Sequence, residues 1–133
     1  MSVVFRVSPV IDDRALSKLH RRAFDASSVE VVPWSARLER HSVVWVTAEE
    51  ESNLVGFVNV VGDGGVHAFI VDAVVLPSHQ RRGIGGKLIE LAVAEARSRG
   101  CEWLHVDFEA DLAAFYVKRC GFRPTSAGVI RLR

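Results

Sequence analysis

A nearly unbroken apolar run over residues 66–76 stops at Pro77, and after a polar loop a helical period begins at Gly83. A short apolar run closed by proline reads as a buried strand covered on both faces. Beyond the loop, Ile84, Leu88, Leu91, Ala92 and Ala96 fall on one helical stripe, Lys87, Glu90, Ala94 and Arg97 face away, and Gly100 supplies a C-terminal stop. A buried strand feeding a helix through glycines commits the chain to a sheet with helices packed on it. The remaining segments fit around that unit. Residues 3–7 read as a first strand, ended by Ser8 and Pro9. Asp12 or Asp13 can cap a helix with Leu16, Leu19, His20 and Ala23 on one face, broken by residues 25–28. Pro33 suits the first turn of a second helix running to about His41. Residues 43–48 and 54–61 pattern as a hairpin, and Gly62, Gly64 and Gly65 make a further turn. Residues 103–108 read as another strand, 111–120 as a short helix closed by Gly121, and 122–123 and 129–132 as weak final strands. The expectation is an α/β protein, one mixed sheet with helices on its faces, forming a single domain over residues 1–133.

Composition narrows the function classes. Apolar residues make up 49% and charged residues 25%, which excludes a disordered chain. Seventeen basic against sixteen acidic side chains give +1, so the totals carry no nucleic-acid footprint. Cys101 and Cys120 are too few for a disulfide scaffold and lack metal-site spacing, so reduced thiols and no metal are expected. The opening residues show no basic segment followed by an apolar one, and no run approaches the roughly 18 apolar residues of a membrane span. No signal peptide and no membrane partner are read, and a cytoplasmic location is the default.

The chemistry concentrates in residues 72–87. Glycines where a strand passes into a helix let the backbone approach a ligand, and the first N–H groups of the helix lack partners within it. Arg81, Arg82 and Lys87 add positive charge at the end where the helix dipole is already positive, which costs a few tenths to about 1 kcal/mol each. A purely structural helix start would carry Asp or Glu instead. The pattern makes sense when an anion, most simply a phosphate, fills the gap; a plain strand–helix turn is the bland alternative. The order Gln80-Arg81-Arg82-Gly83-Ile84-Gly85-Gly86-Lys87 lacks Walker spacing and the first glycine of a dinucleotide fingerprint.

Taken with the preceding strand end, Val74-Val75-Leu76-Pro77-Ser78-His79-Gln80-Arg81-Arg82-Gly83-Ile84-Gly85 resembles the acyl-CoA signature of the GCN5-related N-acetyltransferase (GNAT) superfamily, (Gln/Arg)-x-x-Gly-x-(Gly/Ala) after a Val-x-Pro strand end. Downstream, Phe115-Tyr116-Val117-Lys118-Arg119-Cys120-Gly121-Phe122 is similar to the family's Phe-Tyr-x-x-x-Gly-Phe segment. One helix and one strand separate the two, as in the family, and the resemblance covers essentially the whole chain. It implies a mostly antiparallel mixed sheet with a splayed strand pair, acetyl-CoA as cosubstrate, and direct acetyl transfer to a primary amine. It further implies that backbone N–H groups of Arg81, Arg82, Gly83, Ile84, Gly85 and Gly86 hold the diphosphate, in a loop flanked by Gln80 and Lys87, with Arg81 or Arg82 paired to phosphate. Val74 and Val75 would bind the pantetheine arm, and the Val75 N–H would polarise the acetyl carbonyl.

Tyr116, the chain's one tyrosine, falls at the family's general-acid position beside the cofactor. A phenol of pKa about 10 can protonate a departing thiolate of pKa about 8.5. A lysine-like amine of pKa about 10.4 is uncharged about once in 2,500 molecules at neutral pH, a penalty near 4.6 kcal/mol unless its proton is removed. Asp72 is a carboxylate in an otherwise apolar strand, and either serves as that base or bonds to a neighbouring turn. His105 and Asp107 share one face of the splayed strand by period two and can relay a proton through water. Where many relatives carry a cofactor-contacting Asn, this chain has Glu109, so Asp111 or backbone groups take over or the cofactor arm is held differently.

In the family, acceptor choice depends on the segment between the first two helices and on the last strands, here residues 24–34 and 125–133. Phe24, Trp34, Asp72 and His105 are the candidate substrate contacts, and a short apolar lid with Trp34 favours a small-molecule amine. The rival readings are a protein or peptide amine acetyltransferase and a non-catalytic acyl-CoA-binding module; Tyr116 favours the enzyme. A nucleic-acid surface would need a broader basic face, and Arg14, Lys18, Arg21 and Arg22 read as a solvated helix face. Apolar strand edges leave a homodimer open.

Overall fold

The computed structural model describes residues 2–24 and 27–133; Asp25 and Ala26, part of the expected helix break, lie outside the described residues. The elements run β1 (Val3–Val7), α1 (Asp13–Ala23), α2 (Trp34–His41), β2 (Ser42–Glu50), β3 (Asn53–Gly62) and β4 (His67–Val75). After a 3-10 turn at Pro77–His79 come α3 (Ile84–Ser98), β5 (Trp103–His105), a 3-10 turn at Ala110–Leu112 and a π-helical segment at Ala114–Arg119. The strands form one five-stranded sheet in chain order, antiparallel except for the parallel β4/β5 pair.

Asp12, rather than Asp13, caps α1: its Oδ1 accepts the N–H groups of Arg14 and Ala15 at 2.9 and 3.1 Å. Asp13 instead accepts the Ser35 N–H at 2.7 Å and ties α1 to α2. Leu16, Leu19, Trp34 and Leu38 from these two helices bury Phe57 and Val74 on one face of the sheet. Ile84, Leu88, Ile89 and Ala92 of α3 bury Val44, Val46, Val58 and Val60 on the other. Helices therefore cover both faces, and the polar side of each helix points to water.

Gly56 sets how closely α3 approaches. A Cβ there would stand 2.9 Å from Leu88 Cδ1, 3.2 Å from Ile84 Cγ2 and 3.3 Å from Ala48 Cβ. Gly56→Ala is expected to destabilise the fold by about 1–3 kcal/mol through overpacking. An unchanged urea midpoint would show that the α3 contact is looser than this geometry.

Several local expectations are corrected. β4 is covered on one face only near its start: Ala68 and Ile70 are buried in the α3-side core, but Phe69 and Val71 are 40% and 36% exposed because the α1/α2 layer does not reach that end. β5 stops at His105, since its pairing to β4 ends with Phe69 and His105. Val106 and Phe108 still pack on the α3-side core but have no strand partner. Residues 121–133 contain no strand, and Val129, Ile130 and Leu132 are exposed; an apolar alternation without an edge to pair with forms no sheet. The last helix is not a regular one. Four residues separate Tyr116 from Gly121, one more than the Phe-Tyr-x-x-x-Gly-Phe spacing, and the backbone absorbs the extra residue as a π turn. Its closing bonds run from Cys120 N–H to Phe115 O at 2.9 Å and from Phe122 N–H to Tyr116 O at 3.0 Å.

Candidate active site

The site opens where β4 loses its neighbour. Between the Asn59/Val71 and Phe57/Val74 pairs, one residue of β3 faces two of β4, and Asp72 sits in this bulge at φ 55°. Bulges bend and twist the strand that carries them, and Asp tolerates the left-handed region better than most residues. Beyond the bulge, Leu76 N–H bonds Val55 O at 2.9 Å. Antiparallel pairs alternate between bonded and non-bonded, so Val75, opposite Gly56, turns its N–H and C=O away from β3 and toward the gap left by β5. Gln80 Nε2 donates to that Val75 carbonyl at 3.3 Å. The gap is a cleft of about 730 Å³ whose walls include Val74, Val75, Gln80, Arg81, Phe115 and Tyr116, with Gly83, Gly85 and Gly86 at its floor.

Gly83 precedes α3 at φ 81°, a left-handed conformation natural to glycine, and Arg81 also lies at positive φ, 64°. No side chain caps α3, so the N–H groups of Ile84, Gly85 and Gly86 are left without acceptors in the helix. A Cβ on Gly85 would come to 3.3 Å from Phe115 Cζ. Unpaired donors at a helix start, floored by bare backbone, fit a diphosphate. Ile84 contributes only its backbone, its side chain being buried in the core. Arg82 is engaged elsewhere: its Nη2 donates to Glu50 Oε2 at 2.9 Å, and His79 Nε2 donates to Glu50 Oε1 at 3.0 Å. These bonds, His79's first, hold the Glu50 carboxyl below its ordinary pKa and pin the loop to the end of β2. Lys87 pairs with Glu90 at 3.6 Å on the exposed side of α3.

Tyr116 is 7% exposed, stacked on Phe108 at 5.1 Å between ring centroids and edge-on to Phe115 and Phe122 at 4.9 and 5.9 Å. Burial, with the nearby Cys120, pushes its phenol above the usual pKa. Asp72 is held from the other helix layer, with Oδ1 3.4 Å from His20 Nε2 and Oδ2 3.5 Å from Arg37 Nη2. That Oδ2 is buried and has no hydrogen-bond donor among the described residues. Phe24 lines the cleft and is 57% exposed.

Other expected contacts fall elsewhere. Trp34 is 2% exposed, edge-on to Phe57 and beneath the Arg37 guanidinium at 4.7 Å, so it is core rather than lid. His105 stacks on Phe69 at 4.6 Å and lies 2.9 Å from His67, roughly 20 Å along β4 from Val75. Asp107 is exposed past the end of β5, and Glu109 is exposed ahead of the 3-10 turn, whereas Asp111 lines the cleft. Arg119 and Phe115 also line it, and sequence reasoning passed over both. Their i, i+4 spacing beside Tyr116 was the available signal.

A cleft between diverging strands, floored by an uncapped helix start, is the architecture of an acetyltransferase. The chain belongs to the acetyltransferase (GNAT) family, whose model matches residues 13–122. It is 34% identical over 82 residues to serotonin N-acetyltransferase 2, chloroplastic, of Oryza sativa subsp. japonica, a match covering 59% of this chain and 41% of that protein. The chain thus spans about two fifths of that curated relative's length. Among solved structures, a Trypanosoma brucei acetyltransferase superposes with a TM-score of 0.82 at 25% identity, covering 99% of each chain. Glucosamine-6-phosphate N-acetyltransferase from Arabidopsis thaliana shares the fold with a TM-score of 0.74 at 20% identity, over 96% of this chain and 97% of that one. Among the described residues, no helix is long and apolar enough to cross a membrane.

Proposed function

We propose that this chain is an acetyl-CoA-dependent N-acetyltransferase that moves the acetyl group directly to a primary amine of a small molecule. The observation that carries the reading is Tyr116, a buried phenol kept protonated in the wall of a cleft whose facing strand offers the Val75 N–H.

Acetyl-CoA supplies an activated thioester. The N–H groups of Ile84, Gly85 and Gly86 bind its diphosphate oxygens, and the main chain of Val74 and Val75 holds the arm as an added strand would. The Val75 N–H stabilises the charge that develops on the carbonyl oxygen. Tyr116 gives its proton to the departing sulfur. Asp72, held between His20 and Arg37 at the strand bulge beside Ala73 of the cleft wall, supplies the negative charge that attracts and orients the acceptor's ammonium, and water carries the lost proton out. Cys101 and Cys120 are free, and burial lifts the Cys120 thiol above its ordinary pKa, which favours direct transfer over an acyl-cysteine. Free thiols also suit a cytoplasmic setting.

A lone carboxylate, Asp72, already paired with His20 and Arg37, is not the acidic groove that a lysine-rich protein tail would want, which favours a compact acceptor. The Arabidopsis thaliana structure is of an enzyme named for such an acceptor, an amino-sugar phosphate. Thiol release from acetyl-CoA, followed across arylalkylamines, amino sugars, diamines and lysine peptides, tests the reading. Turnover is expected on at least one small amine. Activity confined to peptides would reject the acceptor class, and acetyl-CoA binding with no turnover on any amine would make the chain a binding module.

A further inference from the structure

We infer that Arg119, from outside the glycine loop, is a side chain that reads the diphosphate of the acetyl donor, an inference that rests on the donor site proposed above. Of the loop's arginines, Arg81 is exposed and lines the cleft without an ion pair among the described residues, so it remains a second charge for the donor, whereas Arg82 is engaged. Arg82 is neutralised by Glu50 at 2.9 Å, and Lys87 is turned outward to Glu90. Arg119 has no ion pair or hydrogen bond among the described residues, and its guanidinium lies against the first turn of α3. A Cβ on Gly86 would stand 2.6 Å from Arg119 Nη2, 2.7 Å from Nε and 2.9 Å from Cζ; one on Gly83 would stand 3.6 Å from Nη2. Gly86 is bare at the spot the guanidinium occupies.

A cation on the N-terminal turn of a helix is repelled by the dipole and by the outward N–H groups. Packing alone gives no reason to hold it there. An anion with several oxygens resolves the conflict, accepting from the Gly85 and Gly86 N–H groups on one side and from the planar guanidinium on the other. Phe115 and Arg119, one helical turn apart, meet Gly85 and Gly86 in sequence, so the π-helical segment closes over the start of α3 and brings the charge with it.

The test compares acetyl-CoA with S-acetylpantetheine, which keeps the thioester arm and lacks the nucleotide diphosphate. Arg119→Ala is expected to weaken acetyl-CoA binding about 10- to 100-fold, the usual loss for a charge-assisted bond, and to leave S-acetylpantetheine affinity unchanged. Arg119→Lys should fall between, since it keeps the charge and loses the fork. Gly86→Ala, which pushes the guanidinium off the turn, should reproduce the Arg119→Ala pattern. Equal acetyl-CoA affinity in wild type and Arg119→Ala, or equal losses for both thioesters, overturns the inference while the donor site stands. A wild type that binds neither thioester overturns both.

Discussion

Tyr116→Phe lowers kcat roughly 10²- to 10³-fold and leaves the acetyl-CoA dissociation constant nearly unchanged, if the phenol acts as the acid. The substitution removes one oxygen from a ring fixed by Phe108, Phe115 and Phe122, so the wall of the cleft is preserved. What disappears is a proton that the departing sulfur needs only as the bond breaks. The pH profile gives a second check. An acid must be protonated to act, and burial lifts the Tyr116 pKa, so the active form persists above its ordinary value of about 10. The wild-type kcat/KM should therefore climb with pH as the acceptor amine deprotonates, without a fall below about pH 10. Undiminished turnover in the variant, or a downturn near neutral pH, assigns the proton to another group.

Gly83→Val abolishes measurable acetyl-CoA binding and leaves a folded chain. Space is not the obstacle, because a Cβ at Gly83 meets only Arg119 Nη2, at 3.6 Å. Conformation is: φ 81° places a β-branched residue in the left-handed region, at a cost of at least about 1–2 kcal/mol. The loop relieves that strain by turning its peptides, and the N–H groups at the start of α3 lose their common aim. Calorimetry should register no heat with acetyl-CoA at concentrations that saturate the wild type, while circular dichroism stays native. Wild-type affinity in Gly83→Val would remove this turn from the binding site.

Element order was legible because apolar period, proline and glycine agree along most of the chain. Asp12, Pro33, Gly83 and Gly100 all stand where the helices start or stop. What could not be read depends on a distant partner. Residues 106–108 and 129–132 alternate like strands and have no edge to join. Arg82 looks like a phosphate ligand until Glu50, far away in sequence, is seen to hold it. His105 and Asp107 share a period, but β5 ends at His105, which pairs with Phe69 far along β4 from Val75, and Asp107 lies past that end. Trp34 was the avoidable misreading. It begins a helix four residues before Leu38, the spacing of a core stripe, and both side chains are buried.

A receptor made of main chain is indifferent to the side chains that decorate it. Where β5 parts from β4, the amide at position 75 is freed by topology, so an alanine scan across Val74 and Val75 registers altered packing and little else. If the donor binds as proposed, sequence drift at these positions leaves its cradle intact, and only a change to the backbone itself, such as an ester in place of that amide, dismantles it.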